Sequence, residues 1–561
     1  MNDTKTKHPL LYDIALLLVI LAGFWFRSVG LNWDENQHLH PDERFLTMVE
    51  TALVPNSAAD EIVTPPPEGC EAWGGYFDTA CSSLNPNNRG YGFFVYGTLP
   101  IFVVRYVAEW VGETGYDQVH LVGRQLSALA DLLTIVILYF IVARVYNRKI
   151  ALLAAAFSAL AVLQIQQSHF FTVDTFVNLF MFLTLYFAVE IAFSLFSTLI
   201  PFIVVIPDKE RKELTYSRTR LEHKTEIRSY LVIGLIFLKY YFLAITQYAL
   251  RLLKTPLFWL SLAFGFSLGM AVASKINAAV LAILLPAAFY YQYSAANHSE
   301  DIERSETYDY WTQIIVLLAV GALASLLAFR IFQPYAFNGP GFFGMIPNET
   351  WVGNIMEQRA QASGDADLPF AFQWARRSHL YSFENLTKWG LGPPLGILAW
   401  AGFLWMGWST LKGERRHLLL WGWTAFYFLW QSMQFNPTMR YQLPVYPLLA
   451  MMAAWVVFRK PKILRVAGAL VLVATALWAY AFVQIYQRPH TRVAAARWIY
   501  NNVPGAINLR IEQGDGEIYQ QPLTYPMGLP LQANVPYNNH FVPKVDGMLS
   551  EVSIPYTLGT K

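Results

Sequence analysis

Charge is scarce in this sequence: only 14% of its 561 residues are Asp, Glu, Lys or Arg, against about 25% in an ordinary soluble protein. That shortage excludes a chain solvated over its whole exterior. A net charge of +2 and the lack of any basic tract give no reason to expect a nucleic-acid partner. No internal repeat of fixed period is present, and cysteine occurs only at positions 70 and 81. What the chain has in abundance is apolar length. Hydrophobic residues make up 55% of it, with several runs of about 18 to 24 residues, enough to cross roughly 30 Å of hydrocarbon at 1.5 Å rise per residue. The composition is that of an all-α polytopic membrane protein. Its first run, LLYDIALLLVILAGFWF, is charged only at Asp13 and lacks a small-residue cleavage pattern, so it reads as a retained span.

Basic clusters occur at Arg144/Arg148/Lys149, Lys209 to Arg228, Arg251/Lys254, Lys412/Arg415/Arg416 and Arg459/Lys460/Lys462. Placing all of them in the cytoplasm yields about eleven crossings, at 10–30, 122–143, 149–167, 174–196, 257–274, 276–294, 311–333, 388–410, 417–434, 441–457 and 463–484. Segment 230–250, basic at both ends with Lys239 inside it, then lies along the inner interface. Segment 93–111, with Arg105 and Glu109, becomes interfacial or re-entrant on the outer side. Two parts follow: a transmembrane domain, 1–484, and an external segment, 485–561. The domain includes a large first external loop with juxtamembrane helices (31–121), a cytoplasmic or interfacial insertion (197–255) and a second external loop (334–387). The final segment pairs an amphipathic helix, TRVAAARWIYNNVPG, with short strands and loops, a small α/β appendage. Cys70 and Cys81 fall in the first external loop, where an oxidising compartment allows a disulfide; two unpaired thiols are the alternative.

On this topology the outer ends of the spans collect polar groups. The stretch LNWDENQHLHPDERF carries Asp34, Glu35, His38, His40, Asp42 and Glu43. Separate spans add Arg124, Asp131, His169, Asp174, Lys275, Arg330 and Arg440. Ionisable groups at membrane depth are costly, and are usually paired, cavity-facing or functional. Each has a plainer reading as well. The carboxylate-rich loop is equally a solvated loop, Lys275 a snorkelling side chain, and His169 a capping or core histidine. Arg124 and Asp131, two turns apart on one helix face, are equally a structural ion pair, and Asp174 caps the following helix. Convergence from separate spans favours a site for an anionic, lipid-linked substrate. A lipid phosphate needs cations, and Lys275, Arg440, Arg124 and Arg330 are the available ones. Transfer to a hydroxyl needs a carboxylate to take the proton. The aromatic segment GYGFFVYGTLP is a candidate groove lining for the lipid tail.

These residues also carry a resemblance. HPDERF, LVGRQLSALADLLTIVILYFIVARVYNRKIALLAAAF, SHFFTVDTFVNLF, FGFSLGMAVASKINA and MRYQLPVYPLLAMMAAW occur in this order from about residue 10 to about residue 460. As an ordered set they resemble the integral-membrane GT-C glycosyltransferases, specifically the protein O-mannosyltransferases and aminoarabinose transferases (glycosyltransferase family 39-like). The resemblance implies transfer of a sugar from a polyprenyl-phosphate donor to a protein, lipid or glycan acceptor, with inversion. It maps the catalytic base to Asp42 and gives Glu43 an orienting role. Asp34 of the earlier Asp-Glu pair ranks second, since Pro41 suits the first position of a juxtamembrane helix. His40, His169 and Asp174 are expected to shape the site, and Asp174 with His169 is the candidate ligand pair for a divalent cation such as Mg or Mn, no cofactor being certain. The expected setting is a prokaryotic plasma membrane, with the active site on its external face. The insertion 197–255 and the final segment depart from the family pattern. A transporter or lipid flippase, or a catalytically inactive relative, are the competing readings; the lack of repeated halves weighs against transport.

Overall fold

The computed structural model describes residues 9–55, 63–194, 207–223, 227–297, 304–366, 368–502, 507–523, 534–536, 538 and 540–553. Of the expected insertion 197–255, residues 197–206 and 224–226 lie outside the described residues. The described chain is helical with one small sheet. The helices are α1 (Pro9–Ser28), α2 (Pro41–Ala52), α3 (Thr98–Val111), α4 (Tyr116–Val145), α5 (Arg148–Ala159), α6 (Val162–Ser168) and α7 (Val173–Ala192). There follow α8 (Asp208–His223), α9 (Ile227–Leu252), α10 (Pro256–Ser274), α11 (Leu284–Asn297), α12 (Arg304–Phe332), α13 (Glu349–Ser363) and α14 (Leu380–Asn385). The last are α15 (Pro393–Leu411), α16 (Leu418–Ser432), α17 (Tyr446–Val457), α18 (Ile463–Val483) and α19 (Thr491–Asn502).

Eight described stretches are long and apolar enough to cross a membrane, and the pair α5 and α6, bent by 59°, makes a ninth if counted as one broken span. The protein is an integral membrane protein. The expected crossings at 388–410, 417–434 and 441–457 coincide with α15, α16 and α17, of 19, 15 and 12 residues. Every residue of α17 is buried, the mark of a central helix wrapped by others, apolar on all sides. Segment 230–250, expected along the inner interface, forms part of a continuous helix, Tyr230–Leu252, whose length and apolarity would also suffice for a crossing. Lys239 inside it pairs with Glu210 of α8 at 3.2 Å, so its charge has a partner. Helix α3, by contrast, has 14 residues, short of the about 20 a crossing needs.

The chain forms two compact units, Met1–Leu31 with His40–Val483, and Asn32–Leu39 with Gln484–Lys561. In the first, α10 packs closely on α12: a Cβ on Gly265 would meet the Gly321 carbonyl oxygen at 2.0 Å, so small residues set this approach. Gly97, just before α3, sits equally tightly. Its N–H donates to Ser274 O at 3.2 Å, and a Cβ there would lie 2.0 Å from Ala273 O. Cys70 and Cys81 form a disulfide with their Cα atoms 5.8 Å apart.

A buried polar network ties α1 to α4 and the α5–α6 bend. Arg27 bonds Asp131 at 2.7–2.8 Å and Ala159 O at 2.9 Å, and Gln164 donates to the other Asp131 oxygen at 3.1 Å. Asp131 is therefore paired with Arg27 of α1 rather than with Arg124, seven residues before it on α4.

The second unit holds a three-stranded antiparallel sheet of β1 (Ile507–Glu512), β2 (Ile518–Leu523) and β3 (Met548–Ser553), in the order β2-β1-β3. Residues 32–39 belong here: Glu35 pairs with Arg497 of α19, and Trp33 packs edge-on against Tyr486 at 6.3 Å.

Candidate active site

Helix α2 opens as its sequence dictates. His40 is the extended N-cap residue, its Nδ1 accepting from Glu43 N–H at 3.2 Å, and Pro41 takes the first helical position. Asp42 and Glu43 then sit in the first turn, about 100° apart around the helix axis. That single step separates their roles. Glu43 turns inward and is fully buried; its oxygens accept from Arg124 Nε at 2.7 Å, Arg124 Nη2 at 2.8 Å and Phe171 N–H at 2.8 Å. Asp42 turns toward an open cavity and pairs with Arg440.

Lys275 reaches the same cavity from the end of α10. It is the C-cap residue, with an extended backbone (φ −161°) where α10 gives way to a 3-10 turn, Ile276–Ile283. Its Nζ donates to Asp174 Oδ1 at 2.6 Å and lies 4.4 Å from the centre of the Tyr441 ring. Asp174, in the first turn of α7, is thus held by a cation. Arg440 comes from the 3-10 turn Met439–Val445 that leads into α17. Burial alone would weaken its charge, but Asp174 and Asp42 more than offset this and raise its pKa. Asp42, Asp174, Lys275 and Arg440 line one cavity of about 630 Å³, within the about 300–1,000 Å³ of small-molecule sites.

His40 stands beside this group, its ring stacked on Phe170 at 4.4 Å. Burial lowers its pKa despite the neighbouring Asp42 and Glu43 carboxylates, so it is neutral at neutral pH.

Other expected site residues lie elsewhere. Arg124 does not line the cavity: Glu43 and the Leu31 carbonyl, at 2.7 Å, occupy its guanidinium. Arg330 is a second correction. It is buried, donates to the carbonyls of Phe342, Pro334 and Gly341 at 2.5–2.9 Å, and lies over the Phe77 and Phe337 rings. Arg330 is thus engaged by backbone carbonyls, and Arg124 by the Glu43 carboxylate and one carbonyl; neither lines the cavity. Asp34 belongs to the other unit, where its carboxylate accepts from Leu39 N–H at 3.1 Å. His169 faces the Ile165 and Val29 carbonyls with its two ring nitrogens, at 2.8 and 2.9 Å, and burial pushes its pKa down to about 4. With Asp174 held by Lys275, these two residues do not form the ligand pair expected for a divalent cation. Among the described residues no three His, Cys, Asp or Glu side chains gather as metal ligands.

The cavity also has residues that sequence reasoning passed over. Helix α13 contributes Ile355, Gln358 and Arg359, and the 430s contribute Trp430, Gln434 and Asn436. Among the described residues no carboxylate pairs with Arg359. The wall therefore carries two carboxylates, each matched by a cation, and a third cation unmatched. Tyr96, from the aromatic stretch before α3, lines it too.

The fold and site define a polytopic helical membrane protein with a charged cavity at the ends of its spans. Residues 104–194, well under half of the chain, match the family model described as dolichyl-phosphate-mannose-protein mannosyltransferase. That stretch contains Arg124, Asp131, His169 and Asp174. No curated protein of similar sequence matches. Among solved structures, the chain is similar to the oligosaccharyltransferase of Archaeoglobus fulgidus (14% identity, 93% of this chain, TM-score 0.48), spanning 62% of that protein. It is also similar to ArnT of Cupriavidus metallidurans bound to undecaprenyl phosphate (16% identity, 87% of this chain and 71% of that one, TM-score 0.42). A third similarity is to the S. cerevisiae protein O-mannosyltransferase Pmt1-Pmt2 complex bound to the sugar donor (13% identity, 60% of this chain and 35% of that one, TM-score 0.32).

Proposed function

We propose that this protein is a membrane glycosyltransferase that moves a sugar from a polyprenyl-phosphate donor to a hydroxyl acceptor on a protein, lipid or glycan. The observation that carries the reading is the joint placement of Asp42, Asp174, Lys275 and Arg440 on one cavity. The family-model match across residues 104–194 supports it.

In the resting site Asp42 is paired with Arg440. A donor phosphate entering the cavity competes for Arg440, with Lys275 and Arg359 as further cations. Drawing Arg440 toward the phosphate frees Asp42. Its carboxylate then takes the acceptor hydroxyl proton as that oxygen attacks the anomeric carbon. The bond from that carbon to the phosphate oxygen breaks on the opposite face, polyprenyl phosphate leaves with the electron pair, and the configuration inverts. Asp174 keeps the Lys275 ammonium in place throughout.

An external site, in a prokaryotic plasma membrane, is part of the proposal. The Cys70–Cys81 disulfide, in the loop leading to Tyr96, supports an oxidising compartment on this side. Basic clusters at the opposite helix ends support a cytoplasmic location there.

The test is reconstitution in vesicles with a panel of polyprenyl-phosphate sugars and hydroxyl acceptors. Transfer by the wild type, lost in Asp42→Asn with donor binding retained, is the expected result. Full activity in that variant would overturn the base assignment. Lipid movement across the bilayer without sugar transfer would replace the enzyme reading with a flippase.

A further inference from the structure

The helices of the first unit have a second polar end. From Arg124 to Tyr146, just past the end of α4, the helix axis runs about 33 Å at 1.5 Å per residue, close to the thickness of a bilayer core. At that far end a cavity of about 190 Å³ is lined by Tyr146, Asn147, Arg416, Trp455 and Arg459, among others. These residues come from the α4–α5 turn, the start of α16 and the end of α17.

Two guanidiniums are fixed here on aromatic faces. Arg459 lies 4.6 Å from the centre of the Trp455 ring, and Arg416 lies 5.8 Å from that of Tyr146. Stacking restrains the planar forks before any ligand arrives. Among the described residues a single carboxylate answers them. Glu414 accepts from Arg459 Nη2 at 2.9 Å, Arg416 Nη2 at 3.3 Å and His417 Nε2 at 3.1 Å. The Arg459 bond, foremost, holds Glu414 down to about pKa 2, so its charge is constant and one positive charge stays unmatched. Each guanidinium offers five N–H donors, and the described bonds of both arginines use only Nη2. Asn147 spends its carbonyl oxygen capping α5, accepting from Lys149 and Ile150 N–H at 3.0 Å, which leaves its NH₂ as a further donor.

We propose that this cavity binds a phosphate oxyanion, and that its source is the headgroup of an anionic phospholipid. The volume accommodates a phosphate and several waters, each taking about 30 Å³. The choice of lipid over free phosphate rests on the surroundings. Trp408, Leu411 and Ile463, at the same ends of α15 and α18, are 61%, 80% and 64% exposed. This end of α15 reaches the pocket through Ser409, whose hydroxyl accepts from Arg459 at 3.5 Å, so acyl chains would find apolar surface on the helices that flank it, the arrangement by which basic pockets between spans take anionic headgroups. The inference is independent of the transferase reading.

The experiment uses the full-length protein purified in detergent, with phosphatidylglycerol as probe and phosphatidylcholine as its neutral counterpart, read by native mass spectrometry. Retention of phosphatidylglycerol over phosphatidylcholine is expected. Arg416→Gln with Arg459→Gln should weaken it by about tenfold per arginine, as loss of a charge-assisted bond implies. Lys254→Ala, a basic residue outside the pocket, should leave it unchanged. If the double variant does not fold, Arg416→Gln alone decides, since its side chain is 48% exposed. Competition by inorganic phosphate without lipid retention would keep the oxyanion site and make free phosphate its source. Equal retention of both lipids, or retention unaffected by the arginine substitutions, would overturn the proposal.

Discussion

Arg440 and Asp42, 398 positions apart in the chain, form an ion pair on the wall of the cavity that also holds Asp174 and Lys275. In the proposed reaction the cation guards the base until a phosphate claims it. Asp42→Asn should lower kcat by about 10²–10⁴, the usual worth of a positioned base, with little change in donor KM. Arg440→Ala should instead raise donor KM, by about tenfold for one lost charge-assisted contact. Steady-state kinetics separates the two; matching kcat losses with unchanged KM in both variants would contradict the assigned roles.

Arg359 is the cavity's unmatched cation. Its replacement by Ala should raise donor KM by about tenfold and leave the melting temperature unchanged, because no bond of the described structure depends on its guanidinium. A fall in stability without any effect on KM would assign it to the fold.

Glu43 and Arg124 should behave in the opposite way. Both are fully buried and joined by two bonds of 2.7 and 2.8 Å. Breaking such a pair from one side costs about 3–5 kcal/mol. Arg124→Ala and Glu43→Gln should therefore lower the melting temperature sharply, and protein that remains folded should still bind donor. Thermal unfolding in detergent, alongside a donor-binding assay, checks both parts.

Glu50, on the same helix as Asp42, is fully buried, and neither carboxyl oxygen has a hydrogen-bond partner among the described residues. Burial raises its pKa well above the ordinary carboxylate value, with Arg105 only partly opposing. The folded state then binds more protons than the unfolded state between the ordinary and the raised value. Stability attributable to this group is present below the unfolded pKa and declines as pH rises through the folded one. Glu50→Gln should remove that decline, so melting temperatures of variant and wild type should diverge as pH rises above the ordinary carboxylate range. Parallel curves would contradict it.

The sequence made some of this geometry legible and hid the rest for identifiable reasons. Pro41 after a histidine and before two acids is a local signal, and local signals place Asp42 in the first turn of α2. Lys275 stood out because a lone cation between two apolar runs has few plain explanations. Partner choice was not legible. Arg124 and Asp131 share a helix face, but Glu43 and Arg27 reach them from α2 and α1, and no spacing along α4 encodes that. Arg330 looked like a phosphate ligand because the loop at 334–342, which folds back to satisfy it with carbonyls, carries no sequence signature. Arg359 was missed because α13 is polar and buries none of its residues, so no periodicity marked which face meets the cavity. The partner of Lys239 in segment 230–250 was equally hidden, since Glu210 reaches it from α8, 29 residues away.

The contact of Gly97 with the end of α10 bears on how firmly Lys275 is held in the cavity wall. Main chain touches main chain there, one residue before Lys275, so the ammonium is anchored to a joint with no slack. Any side chain at position 97 would prise the joint apart and carry Lys275 with it. Another part of the lining is of a different kind: α13 contributes Ile355, Gln358 and Arg359 to the cavity while burying none of its residues. A substitution there alters the lining without disturbing the joint that positions Lys275.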